Sequence, residues 1–100
     1  MKLIEAIIKP INLTEVKAAM QKLDIEEMME SEIISHGSQS VETMSYRGAE
    51  YATDLIKKIK VEIIAADDLA SRVVKTIRGI AGTERKEDCR ILVLSFIDAY

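Results

Sequence analysis

Few side chains of this chain could carry out covalent chemistry. His36 is the only histidine and Cys89 the only cysteine among the 100 residues. Hydrolysis needs a nucleophile beside a base, or a pair of carboxylates, and nothing in the sequence places a nucleophile beside His36. We therefore interpret His36 as a surface or pocket-edge residue and Cys89 as a small packed side chain. No catalytic group of residues is visible, so we do not expect an enzyme.

Residues 83–90 could instead bind an anion. They read Thr-Glu-Arg-Lys-Glu-Asp-Cys-Arg. Arg85, Lys86 and Arg90 can form charge-assisted hydrogen bonds with an oxyanion, whereas the two glutamates place negative charge beside them. The alternative interpretation is a solvated basic loop, because a basic cluster is only an electrostatic footprint.

The composition argues against several classes of protein. The formal net charge of −3 argues against a nucleic-acid-binding protein, which usually shows a basic patch. No apolar run approaches the roughly 18 residues of a membrane-spanning helix, and the start Met-Lys-Leu-Ile-Glu is too charged for a secretory signal. A single cysteine cannot form an intrachain disulfide, so we expect a cytoplasmic protein. Because no apolar run is long enough, we expect no direct insertion into a membrane.

Hydrophobic periodicity predicts the elements that position these residues. Strands are expected at residues 2–9, 27–36, 57–66 and 90–97, and helices at residues 13–23 and 68–79. Asn12, with Glu15 three positions later, has the spacing of a capping box for the first helix. The acidic pair 67–68 supplies N-cap chemistry and negative charge at the start of the second helix. Gly79 and Gly82 are expected to end that helix.

The order of the elements is β-α-β, a long loop, and β-α-β, which is the plan of an α+β ferredoxin-like fold. Residues 27–36 suit either a strand with an open, solvated face or an edge strand, because two glutamates lie on one face of it. Residues 90–97 are the most apolar strand and are expected at the centre of the sheet. Both helices should cover one face. Ile7 and Ile64 make the other face too apolar for water, so we expect an oligomer to cover it.

A long polar segment, residues 37–55, joins the second and third strands. Loops of this length in compact domains are usually functional or disordered. The run Tyr46-Arg47-Gly48-Ala49-Glu50-Tyr51 within it resembles the T-loop hallmark of the P-II signal-transduction family. The other blocks that resemble the family pattern are residues 4–10, Gly37-x-Gln39, Lys58, residues 61–63 and residues 67–68. The resemblance covers residues 1–97 without insertions.

This resemblance implies a homotrimer of single domains, here residues 1–100, with the T-loop at 37–55 and a phosphate-binding B-loop at 82–90. P-II proteins bind ATP or ADP in clefts between subunits, and many bind Mg²⁺ and 2-oxoglutarate at the base of the T-loop. The loop then docks on a transporter, an enzyme or a regulator. The residues expected from the resemblance to contact a nucleotide are Ile7, Gly37, Ile64, Thr83, Arg85, Lys86, Glu87, Asp88, Cys89 and Arg90.

Other roles follow from the resemblance residue by residue. Gln39 resembles the residue that helps to hold Mg²⁺ through its side-chain oxygen. Lys58 resembles the residue that pairs with a carboxylate of 2-oxoglutarate. Tyr51 falls at the tyrosine that some bacteria modify with a nucleotide, and Arg47 and Glu50 are candidates for contact with the partner.

The chain departs from the family pattern at the B-loop, which typically reads T-G-x-x-G-D-G-K. Thr83 and Asp88 are retained and Arg90 replaces a lysine, but all three glycines are replaced. Those glycines let the backbone approach phosphate and direct N–H groups at it, so a weaker grip on a triphosphate is expected, and binding of Mg-ATP with 2-oxoglutarate is disfavoured. Ser38 stands where members usually have arginine. The chain ends at Tyr100, before basic residues of the family's C-terminal segment, so we expect a divergent, C-terminally truncated member.

Two functional hypotheses remain open. The first is a regulator that binds ATP, ADP or AMP at trimer clefts and controls a partner protein in nitrogen or carbon metabolism, or in transport, through residues 37–55. The second is a trimeric interaction protein that has lost nucleotide sensing, or that responds to another small anion such as bicarbonate. Calorimetry with the three nucleotides separates these hypotheses.

Overall fold

The computed structural model describes residues 1–25, 27–36, 45–46, 49–50 and 55–100. The strands within these ranges are β1 (Lys2–Ile8), β2 (Met28–His36), β3 (Ser45–Tyr46), β4 (Ala49–Glu50), β5 (Leu55–Ala65) and β6 (Cys89–Ser95). The helices are α1 (Leu13–Lys22) and α2 (Asp67–Ala81), and short 3₁₀ turns span Pro10–Asn12 and Lys86–Asp88. The predicted α+β plan is confirmed, and β3 and β4 form a two-residue ladder inside the predicted loop.

The main sheet is antiparallel, with the strand order β2-β5-β1-β6. The predicted edge position of β2 is confirmed, but the prediction of a central β6 is wrong. Because β5 and β6 occupy the two sides of β1, β6 has β1 as its only neighbour in this sheet of the described chain. Leu92 and Leu94 are therefore 43% and 44% exposed despite the apolar sequence. The hydrophobicity of a strand indicates that its side chains favour burial, but it does not indicate how many strands lie beside it in the sheet.

One face of this sheet carries the core. Residues opposed across antiparallel strands share a face, and Ile4 opposes both Ile63 and Val93. Both helices pack on that face, as predicted. The largest fully buried side chains are Ile4, Ile8, Val16, Met20, Val61, Ile63, Val73 and Ile77, which come from β1, β5, α1 and α2.

The ends of both helices differ from the predictions. The side chain of Asn12 makes no capping hydrogen bond, because the preceding 3₁₀ turn already gives this residue helical backbone angles; its Oδ1 is buried without a partner among the described residues. Ala66 precedes α2, and Asp67 lies inside its first turn, where the carboxylate accepts a 2.7 Å bond from the N-terminal amine. The predicted negative charge at this helix start is confirmed, whereas the predicted N-cap is wrong. Gly79 lies within α2, and Gly82 follows its last residue.

Candidate functional site

A cleft of about 360 Å³ opens on the sheet face opposite the core. Its lining residues are Ile7, Ile33, Ile34, Ser35, Lys58, Lys86, Glu87 and Arg90. Register explains why they meet: Ile7 opposes Arg90, and Ile33 opposes Lys58. Side chains from β1, β2, β5 and β6 therefore form one wall, and the turn before β6 forms the other. The cleft combines an apolar floor with three cations, which suits an anion attached to an apolar group.

Lys58 is the most unusual side chain of the cleft. It is only 9% exposed, although it is a lysine in a strand with one solvent-facing side. Its neighbour Lys57 points to the opposite face and is exposed. The Lys58 ammonium donates a hydrogen bond to the backbone carbonyl of Glu87. A positive charge is thus held inside the cleft and is tied to the turn that forms its second wall.

Side chains hold the loop between α2 and β6 in shape. The Thr83 hydroxyl donates a 2.6 Å hydrogen bond to the Asp88 carboxylate and accepts one of 3.0 Å from the Arg85 backbone N–H. The Asp88 N–H closes a turn onto the Arg85 carbonyl at 3.2 Å. This arrangement joins the two ends of the loop across five residues. Asp88 therefore acts as a structural group of the loop rather than as part of the cleft lining.

The charge of Asp88 is stabilised by its neighbours. The hydrogen bond from Thr83 is the largest cause that lowers the pKa of the Asp88 carboxyl, and the cations of Lys9 and Arg85 lower it further against a smaller opposing effect of burial. Lys9 Nζ lies 3.6 Å from the carboxylate. The end of β1 is thereby joined to the loop by an ion pair that sequence reasoning did not identify.

A second cavity, of about 390 Å³, lies beside the same loop. Its lining residues are Arg78, Gly82, Thr83, Arg85, Lys86, Cys89, Arg90 and Ile91. Gly82 is required here, because a Cβ at this position would lie 2.5 Å from the Arg78 carbonyl oxygen and 3.1 Å from its Cγ. Burial raises the pKa of the Cys89 thiol against the opposing charge of Arg78. The interpretation of Cys89 as a packed side chain is confirmed, because it is 7% exposed within the core cluster.

The structure groups some of the predicted site residues and separates others. Those that line the cleft are Ile7, Lys58, Lys86, Glu87 and Arg90, and those that line the second cavity are Thr83, Arg85, Lys86, Cys89 and Arg90. Ile64 shares the sheet face of the cleft but opposes Leu3 and lines neither cavity. Gly37, Gln39, Arg47 and Tyr51 lie outside the described residues, and Glu50 is described only as part of β4.

Several contributors were not predicted. Ile33, Ile34 and Ser35 line the cleft from the end of β2, and Arg78 lines the second cavity from the last turn of α2. The sequence signal for the first three was their position directly before the long loop. His36 is exposed at the end of β2, as a surface residue should be. Ile7 is only 9% exposed in the protomer, where it opposes Lys60 and Arg90 in the neighbouring strands. That an oligomer covers the rest of this face stays a prediction.

Two searches of the described part of the chain gave negative results. No three histidine, cysteine or carboxylate side chains in it come together as metal ligands. No helix in it has the length and apolar character needed to cross a membrane.

Comparison with known proteins decides the family. A family model described as nitrogen regulatory protein P-II matches residues 1–100. The chain belongs to the P-II family. It is 45% identical over 93 residues to the nitrogen regulatory protein P-II of Rhizobium meliloti strain 1021, which covers 93% of this chain and 83% of the relative. The P-II protein of Bradyrhizobium diazoefficiens is 42% identical over 99 residues, with 99% and 88% covered. That of Pyropia yezoensis is 42% identical over 95 residues, with 95% and 85% covered.

Membership fixes the general class of function. P-II proteins are regulatory proteins that transduce signals, form trimers and interact with the proteins they regulate. The predicted membership of the P-II family is therefore confirmed over residues 1–100, as is the ferredoxin-like plan. Residues 82–90 are the segment for which the resemblance predicts a B-loop, and they are called the B-loop below.

Proposed function

We propose that this P-II protein is a small-molecule sensor that binds an adenine nucleotide at the described cleft and controls a partner protein through residues 37–55. The observation that carries the proposal is the buried Lys58 ammonium, which lies with Lys86 and Arg90 in one cleft. His36, the last residue of β2, opposes Leu55, the first residue of β5. The chain therefore leaves β2 and enters β5 beside this cleft. A ligand there would contact the base of the segment that it regulates.

The chemistry of the cleft fits the two halves of a nucleotide. Ile7 and Ile33 offer an apolar surface for the base, and the three cations can form charge-assisted hydrogen bonds with phosphate oxygens. Lys58 would exchange its bond to the Glu87 carbonyl for one to the ligand. Because that carbonyl belongs to the B-loop, the exchange would couple ligand binding to the position of the loop.

The exposed apolar residues on the cleft side of the sheet support a trimer. Leu3 opposes both Ile64 and Leu94, and Leu92 lies in the next row. Leu92 and Leu94 are almost half exposed in the isolated protomer. Burial of this patch between copies would remove it from water. Analytical ultracentrifugation should give the mass of three chains, and a monomer mass at micromolar concentration would contradict this part of the proposal.

The remaining residue roles implied by the resemblance are part of the same proposal. Gln39 would contribute to a site for Mg²⁺, and Lys58 would pair with 2-oxoglutarate if that ligand binds. Arg47 and Glu50 would contact the regulated protein, which is a transporter, an enzyme or a regulator. Tyr51 would be the site of modification.

Isothermal titration tests the proposal directly. The full chain is titrated with ATP, ADP and AMP, each with and without Mg²⁺, 2-oxoglutarate and bicarbonate. We expect micromolar binding of at least one nucleotide, with a preference among the three. Absence of heat for every ligand, with a folded protein by circular dichroism, would contradict nucleotide sensing.

A second candidate function is favoured by one observation. Glu87 lines the cleft, and its Oε1 is 3.5 Å from the Arg85 Nε, so a carboxylate of the protein already pairs with a B-loop cation. A trimeric interaction protein that acts without a nucleotide, or that responds to bicarbonate, would show this arrangement. Heat of binding for bicarbonate but for none of the nucleotides, or no heat of binding for any of the ligands, would favour this candidate.

A further inference from the structure

Glu87 places a negative charge where the proposed ligand would be negative. It is the one acidic residue among the described residues that line the cleft, which also include the cations Lys58, Lys86 and Arg90. Its side chain is 37% exposed, so it is held at the wall of the cleft rather than free in solvent. The nearby Glu84 is exposed and lines neither cavity.

Two contacts restrain Glu87. Its backbone carbonyl accepts the hydrogen bond from the Lys58 ammonium, and its carboxylate pairs with the Arg85 guanidinium. The first contact restrains the backbone of Glu87, from which the side chain extends. This residue is the middle one of the 3₁₀ turn Lys86–Asp88. Because the Glu87 carbonyl is bonded to Lys58, the carboxylate stays within one side-chain length of the cleft.

We infer that Glu87 is a selectivity residue, which makes the cleft favour adenosine mono- and diphosphates over the triphosphate. The inference rests on the proposed nucleotide site. Each phosphate group added to the nucleotide adds about one negative charge to the ligand. The repulsion between the ligand and a fixed carboxylate grows with that charge. A contact made only to the base or the sugar would affect all three nucleotides equally. The carboxylate therefore changes which of the three nucleotides binds most tightly, and not only how tightly each one binds.

The size of the effect follows from Coulomb's law with screening. For charges several ångströms apart at a partly hydrated surface, one fixed carboxylate changes the affinity by about two- to fivefold per ligand charge. Between AMP and ATP, which differ by two phosphates, the preference should therefore change by roughly four- to twenty-fivefold.

The test compares E87Q with E84Q in the full chain. Both variants remove one negative charge from the B-loop, but only the first removes it from the cleft wall. Affinities for ATP, ADP and AMP are measured by isothermal titration at low and at high salt. We expect E87Q to gain most for ATP and least for AMP, and to lose much of this difference at high salt. E84Q should raise the three affinities by small and similar factors.

Each outcome decides a different point. Equal gains for the three nucleotides in E87Q, or the same pattern in E84Q, would overturn the selectivity role while leaving nucleotide binding intact. Binding by E87Q but not by the natural chain would support the role and contradict the proposed function. Absence of binding by both would overturn both. E87D keeps the charge and should retain the natural order of affinities, which shows that a change in E87Q does not arise from a misfolded loop.

Discussion

Replacement of Lys58 by methionine tests the cleft most directly. Methionine keeps an unbranched apolar stem in a position that is 9% exposed, and removes only the ammonium and its hydrogen bond to the Glu87 carbonyl. The variant K58M should therefore lose affinity for an anionic ligand without losing the fold.

The magnitude can be worked out from the contacts. A hydrogen bond from a charged donor contributes about 1.5–3 kcal/mol, so loss of the contact to a phosphate should weaken binding about ten- to hundredfold. Stability should change much less. Loss of the Lys58 bond leaves the Glu87 carbonyl without that donor, but the same substitution removes the cost of keeping a charge out of water. We expect these opposing effects to leave the free energy of unfolding within about 1 kcal/mol of that of the natural chain.

The control is K57M. Lys57 is the adjacent residue of β5, carries the same charge and lies exposed on the opposite face. Nucleotide affinity by isothermal titration and urea unfolding by circular dichroism are measured for both variants. A K58M affinity within twofold of the natural value, or an equal loss in K57M, would refute the assignment of Lys58 to the ligand site.

Two further predictions concern the loop and the helix that precedes it. G79A should stabilise the protein by about 0.5–1 kcal/mol, because Gly79 lies within α2 and a Cβ there meets nothing within 4 Å, whereas G82A should destabilise it by about 1–3 kcal/mol through the clash with the Arg78 carbonyl. Urea unfolding of the two variants tests this, and equal effects of the two alanines would contradict it. The lowered pKa of Asp88, caused chiefly by the Thr83 hydrogen bond, means that the ionised carboxylate stabilises the fold above about pH 4 and that this contribution is lost as the pH falls through the lowered pKa. Melting temperatures between about pH 2 and 6 should fall less steeply in D88N than in the natural chain, and parallel curves would show that the carboxylate does not stabilise the fold.

Most of the fold could be predicted from the sequence because its elements have clear periods. The alternation of β5, with Ile59, Val61 and Ile63 buried, and the helical spacing in α2 were sufficient to place both elements within a few residues. The position of β6 could not be predicted in this way. Its apolar run indicates a need for burial, but strand order depends on which edge of β1 is still free after β5 has paired. The apolar residues of β6 are thus more consistent with contact to another copy than with a central place in one protomer.

The site was predictable only in part. Lys58 and the B-loop cations were identified by resemblance, and the structure brings Lys58, Lys86 and Arg90 to one cleft. The ion pair of Lys9 with Asp88 could not be predicted, because it depends on where β1 ends relative to a loop 79 positions later in the chain. No sequence period reports such a contact between ends of elements.

Loss of the B-loop glycines changes how the loop can recognise an anion. Of the described non-glycine residues, Asp24 alone has a positive φ, so neither Glu84, Glu87 nor Cys89 adopts a backbone conformation that would need glycine. The loop is instead a 3₁₀ turn followed by extended backbone, held together by Thr83 and Asp88. Backbone N–H groups recognise a phosphate by close approach, whereas the side chains that remain recognise it mainly by charge. A loop that recognises an anion mainly through charged side chains is expected to distinguish ligands by their net charge. Under the inferred role, Glu87 would be the adjustable part of the site, because a single negative group among three cations would set which of the three nucleotides the cleft prefers.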